Sequence, residues 1–184
     1  KAMFGAGSDL QIFHDGSNSF INNTVTGALS IKSDDINLMS SSSETMAAFV
    51  EDGAVTLYHN NAAKIATSAT GVTVTGTAVA TTDTDTSNTG SVTLDFGANQ
   101  NFVLTLTGNT TLANPSTEQV GQSGFIACIQ DGTGSRTLSL GTDYETAGGS
   151  GITLTTTASA TDLIPYVVIA ANRILLGSPQ LAFS

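Results

Sequence analysis

Residues 11–22 read QIFHDGSNSFIN and residues 56–67 read TLYHNNAAKIAT. In both, apolar and polar residues alternate up to an aromatic followed by a histidine. A turn-forming pair comes next, Asp15-Gly16 in one and Asn60-Asn61 in the other, and then a second apolar run begins. Such pairs tolerate positive φ, which a tight turn between two strands requires. His14 and His59 occupy the same place in the two stretches, 45 residues apart. A hairpin written twice at that interval predicts repeated β units rather than one globule.

Each unit is too small to bury its own apolar face, because an isolated hairpin is marginal in water. On an extended chain Leu10, Ile12 and His14 share one face, and Val55, Leu57 and His59 share another. Other copies of the chain are the simplest cover. The sequence therefore predicts a trimeric stalk in which Leu10, Ile12, Val55 and Leu57 pack between subunits.

The composition agrees with a β protein. Of the 184 residues only 11% are charged, 40% are hydrophobic, and 19 Gly stand against 3 Pro. Polarity comes instead from Thr, Ser and Asn, and Thr suits a half-wetted pleated surface. The net charge of −10, with five Lys plus Arg, leaves no basic stripe for a phosphate backbone and opposes adsorption to anionic lipid. Nucleic acid is not an expected partner. No apolar run approaches the roughly 18 residues of a membrane span. Cys128, the single cysteine, lies in the apolar run GFIACIQ and reads as a small buried thiol. A start at Lys1 with a strand signal within ten residues suggests the ordered C-terminal part of something longer.

Helical periodicity is nearly absent, and short alternating runs are broken every 8 to 12 residues or so. SSSSETMAAFVED reads either as a capped turn or as a loop leading to a strand. The expected organisation is a hairpin-repeat stalk over residues 1–75, a Thr/Asp-rich linker over 76–91, and a β-sandwich knob over 92–184. About eight strand signals follow Val92, which suits an antiparallel sandwich or jelly roll. The fold class is all-β.

The segments VTLDF, LTLTGNTTLANP, GQSGFIACIQDGTGSRTLSLG and TTTASATDLIPYVV, between Val92 and Val168, resemble the C-terminal module of bacteriophage tail fibre or tail spike proteins, notably of marine phages. SDLQIFHDGSNSFI and DGAVTLYHNNAAKIATSATGVTVTG resemble the repeats that precede such modules. The resemblance implies a homotrimeric virion fibre with a slender shaft and a β-rich terminal knob that serves host attachment. Its partners would be its own copies, other virion proteins, and a host surface glycan or protein. It brings no catalytic motif.

Candidate sites are few. Facing a three-fold axis, His14 and His59 would each form a layer of three imidazoles able to hold a metal ion or an anion. Each is equally a strand-end histidine bonded to its own turn, and no metal or cofactor is expected. DTDTSN, residues 83–88, alternates oxygens as a calcium loop does. It lacks the required Gly and the bidentate Glu, and reads as solvated linker. QDGTGSR has neither P-loop spacing nor a Lys-Ser/Thr pair and reads as a hairpin turn. Asp34-Asp35 and Glu51-Asp52 would point to opposite strand faces and guard edges. Asp143, Tyr144 and Glu145, in the Gly-rich GTDYETAGGSG, combine an aromatic with carboxylates. Their loop is the first choice for surface recognition, with Tyr144 itself read in preference as a loop anchor.

The expected function is therefore non-enzymatic host attachment by a trimeric tail fibre on the virion exterior. The alternatives are a head fibre or capsid decoration protein, a polysaccharide-degrading spike, and a monomeric carbohydrate-binding adhesin.

Overall fold

The computed structural model describes residues 1–183, and the chain divides into two compact units, Lys1–Thr77 and from Ala78 onward. Both are built of strands, as expected of an all-β chain. Among the described residues no helix is long and apolar enough to cross a membrane.

The first unit holds two antiparallel meanders. β1 (Ala2–Phe4), β2 (Leu10–His14) and β3 (Ser19–Asn23) pair in order, with Ile12 opposite Ile21 and His14 opposite Ser19. Phe13 stacks on Phe20 with ring centroids 4.9 Å apart. The turn closing this hairpin has four residues. The Asp15 carboxylate accepts the Ser17 and Asn18 amides at 2.8 and 2.7 Å, which holds its pKa below the usual carboxylate range, Asn18 contributing most.

The second meander comprises β4 (Asp35–Met39), β5 (Thr45–Val50), β6 (Val55–His59), β7 (Ala62–Ser68) and β8 (Gly71–Val74). Asn60 and Asn61, at φ 49° and 57°, form the two-residue turn that the strand twist favours. SSSSETMAAFVED resolves into a loop and β5. DINLM, as β4, pairs with β5 in the second meander. The two sheets have three and five strands, so the hairpin recurs without an identical unit around it.

The second unit is one eight-stranded sheet around a single core. β9 (Thr82–Thr93) lies parallel to β10 (Asn101–Ala113), with Thr82 opposite Asn101 and Thr93 opposite Ala113. Seven residues join them, too few to run back along a straight strand of twelve at ~3.4 Å per residue. The pair must bend round the core, and its register slips beside Asn88 and Gly90, where bending is easiest. Asn88, fully buried, ties the bend by donating to the carbonyls of Asp85 (3.1 Å) and Thr105 (3.2 Å).

β11 (Ser123–Gln130) runs parallel to β10, and β12 (Leu138–Leu140) rejoins β10 further along, again parallel. β14 (Thr161–Ala170) is antiparallel to β11, and its other edge takes β15 (Arg173–Leu176) and β16 (Gln180–Phe183). β13 (Tyr144–Thr146) completes the sheet beside β15.

Three local expectations change. The stretch expected as a linker over 76–91 is mostly β9. Its Thr and Asp side chains reflect an edge strand kept polar against mispairing, which composition alone cannot separate from a linker. The expected antiparallel arrangement is mixed, because coiling lays successive laps side by side in the same direction. QDGTGSR is not a hairpin. It is a loop between two strands that dock on β10, and Asp131 closes it by accepting the Thr133 and Gly134 amides and the Arg136 guanidinium at 2.7 Å.

Alternation decides the core. Phe102, Leu104 and Leu106 of β10, Ile126 and Cys128 of β11, and Ile164, Tyr166 and Val168 of β14 all face inward. Phe96 packs edge-on to Tyr166 at 5.2 Å, and the Tyr166 hydroxyl donates to the Gln100 carbonyl at 2.6 Å. Burial pushes the Cys128 thiol up to about 12, so it is the inert thiol that its apolar surroundings suggested.

Asp162 is a buried carboxylate that accepts the Thr155 amide (2.6 Å), the Thr155 hydroxyl (2.8 Å) and the Ala182 amide (2.9 Å). It fastens the 152–157 segment and β16 to β14. Asp162→Ala strands these donors, and a loss of about 2 to 4 kcal/mol is expected in denaturant unfolding. The Arg136 guanidinium and then the Gly134 amide hold Asp131 at about 2. That lies below the unfolded value of ~3.9, so its stabilisation is full above about pH 4 and is lost as pH falls towards 2. Thermal midpoints measured from pH 5 to 2 should fall less steeply in Asp131→Asn than in the parent chain.

Candidate surface-recognition site

A concavity of about 650 Å³ in the second unit is framed by the segment that runs from β12 through β13 to Ile152. Its apolar floor includes Leu138, Leu140 and Ile152, and its rim carries Ser139, Glu145, Thr146 and Ser150. This is the GTDYETAGGSG loop singled out from the sequence.

The loop is held from both ends. Gly141 donates to the Leu112 carbonyl at 2.7 Å, and a Cβ there would overlap the Asn114 side chain. Asn114 in turn accepts the Asp143 amide (3.1 Å) and donates to the Thr142 hydroxyl (2.8 Å). Beyond β13, Gly148, Gly149 and Gly151 take φ of 67°, 66° and 73°, a left-handed run that residues with a Cβ rarely adopt. The Thr146 hydroxyl accepts the Gly151 amide at 3.0 Å and closes the tip.

The three residues expected at the surface divide. Tyr144 is opposite Ile174 in the β13–β15 register, which turns its ring into the core at 5% exposure. Asp143 is buried as well, at 9%. Tyr144 is thus the loop anchor and offers no stacking platform. Burial raises its phenol pKa, with the carboxylates of Asp143 and Glu118 adding to the effect. Glu145 alone of the three reaches the surface. It binds Arg173 through both carboxylate oxygens at 2.6 and 2.8 Å, and this guanidinium keeps its pKa below the ordinary range. Arg173, Ser139 and Ser150 were not singled out from the sequence. The glycine run was the available signal for Ser150, whereas Arg173 lies 28 residues from Glu145 and meets it only through sheet pairing.

The remaining candidates are in the first unit. His14 and His59 are exposed at strand ends, and His14 Nδ1 lies 3.3 Å from the Ser19 hydroxyl across its hairpin. Within one chain, no three His, Cys, Asp or Glu side chains converge on a metal position among the described residues. Asp83 and Asp85 lie on β9, and the Asp85 carboxylate accepts the Ser87 amide at 3.0 Å. Leu10 is half-buried, while Ile12, Val55 and Leu57 are exposed at 44%, 37% and 44%.

The concavity can hold a small polar ligand by hydroxyl and backbone contacts over an apolar floor. It is poorly equipped for glycoside hydrolysis, which uses two carboxyl groups flanking the bond. Glu145 is the single acid in its lining, and it is engaged by Arg173.

Residues 86–169 match the family model described as "Putative phage tail fibre C-terminal domain". The match begins inside β9, consistent with that strand belonging to the second unit, and covers most of the coiled sheet. Those 84 of the chain's 184 residues are thus similar to a phage tail fibre C-terminal domain. Neither a comparison with curated proteins nor one with solved structures returned a match.

If Tyr144 serves as an anchor, its ring matters and its hydroxyl does not. Tyr144→Phe should keep unfolding stability within about 1 kcal/mol, whereas Tyr144→Ala should lose about 3 to 5 kcal/mol.

Proposed function

We propose that this chain is a non-enzymatic, homotrimeric fibre that attaches a phage to its host surface, with the first unit as stalk and the second as terminal knob. The observation that carries this reading is the burial in the first unit. Its buried apolar residues are Ala47 and Ala48, while Met3, Phe4, Ile21, Leu38, Leu57 and Val72 stand exposed on its strands. Two meanders with so little core cannot offset the entropy of ordering some 75 residues. Ile12 opposite Ile21, and Leu57 opposite Ile65, form apolar rows ready to meet the same rows of sister chains.

The family match supports the fibre part of this reading, and the single engaged acid at the concavity favours binding over cleavage. The concavity is proposed as the host contact, with a neutral saccharide as the ligand class. Its rim presents hydroxyls, its one acid is already paired to Arg173, and the chain's net charge of −10 disfavours acidic sugars. Three copies acting together would convert weak single contacts into firm attachment.

Sedimentation equilibrium of the purified chain should return three chain masses, and a mass of one chain would remove the trimer. Arrayed bacterial polysaccharides should retain the protein, and Ser150→Trp, which fills the concavity, should abolish retention. Undiminished retention of the variant would place the host contact elsewhere.

A further inference from the structure

A sheet with one face on a core and the other in water normally alternates apolar with polar residues. The central strands of the second unit depart from this rule. With their inward residues in the core, β11 turns Phe125 and Ile129 outward on either side of Ala127, which is itself covered at 7% exposure, and β14 turns Leu163, Pro165 and Val167 outward. The registers align them across strands. Phe125 is opposite Pro165, Ala127 opposite Leu163, and the rows continue to Val103 of β10 and Leu175 of β15. Val167 and Ile169 are 37% and 41% exposed. Apart from Glu145 and Arg173, which pair with each other at one border, no position in these rows carries an ionisable side chain, in a chain with 15 acidic residues.

The borders of the face differ from its centre. Glu145, in register with Leu175, is paired to Arg173 at one side, and Thr105 and Thr161 lie at the other. Between Pro165, Val167, Leu175 and Gly177 a shallow depression of about 300 Å³ has room for an apolar side chain. An apolar centre with a polar, charge-balanced rim is the anatomy of a protein interface.

We infer that this outward face of β10, β11, β14 and β15 is covered by a second copy of this chain. The inference rests on the self-association proposed above and assigns the second unit its own share in it. The occupant follows from area and charge. Four strands ~4.8 Å apart, over about five residues each, present roughly 300 Å² of flat sheet. A stable partner needs about 800 Å² from each side, so the face cannot retain a partner that touches it alone. A sister chain also covers the bare rows of the first unit, and so supplies the missing area. It brings a face whose one ion pair is internally balanced, so two chains of net charge −10 can meet here without like charges in contact.

Cys128 is buried, with its pKa raised to about 12, and leaves a silent background for a thiol probe in the full-length chain. Val167→Cys should react with a polyethylene-glycol maleimide at least about tenfold more slowly than Thr133→Cys, a control on the exposed 131–137 loop. Val167→Asp should shift the dissociation midpoint to at least about tenfold higher protein concentration. Equal labelling rates in a species of several chain masses would overturn this inference and leave the trimeric stalk standing. So would an unchanged midpoint for Val167→Asp. A one-chain mass for the parent protein would instead overturn the self-association beneath both.

Discussion

After β9 ends at Thr93 the chain must be back beside Thr82 within seven residues, because Asn101 pairs there. An extended backbone cannot cover the length of a twelve-residue strand in seven steps, so the two strands curl and the core forms inside the curl. Much else follows from that return. Leu94 and Phe96 are carried through the interior on the way, Phe96 meets Phe102 and Tyr166, and the Gln100 carbonyl is placed to accept the Tyr166 hydroxyl. A Cβ on Gly124 would overlap that same carbonyl, so the lap closes only with glycine at this point. Parallel pairing of β9, β10, β11 and β12 is the geometric result of coiling.

The two units rest on opposite balances of burial. The second has a core of interlocked aliphatic and aromatic side chains, a buried Asp162 with its oxygens satisfied, and a loop pinned by Asp131 and Arg136. The first has correct turns, complete ladders and almost no interior. Backbone hydrogen bonding specifies its local form, while Ile12, Ile21, Leu57 and Ile65 stay exposed on its strands. The fibre shaft of repeated copies proposed above would supply the missing layer by symmetry.

The 141–151 loop shows how rigidity and exposure are divided among neighbouring residues. Tyr144 points into the core and Glu145 points out, as consecutive strand residues must. The buried ring fixes the loop, the glycine run shapes its tip, and the hydroxyls of Ser139 and Ser150 are left at the rim. Binding groups carried by so fixed a loop lose little entropy on contact with a ligand.

Local chemistry was legible in the residues themselves. Asn60-Asn61 demanded its turn, alternation in NFVLTL and GFIACIQ foretold strands, and the surroundings of Cys128 announced an inert thiol. All of these depend on φ preference and on side-chain period, which are properties of a few adjacent residues. Direction and partnership were not legible. That β9 is a strand and not a linker, that QDGTGSR re-enters the same sheet, that Asp143 and Tyr144 are buried, and that Glu145 finds Arg173 all depend on which strand lies beside which. Pairing between residues 18 to 66 positions apart is decided by loop reach and by competition for one core, and only the tertiary structure settles that competition.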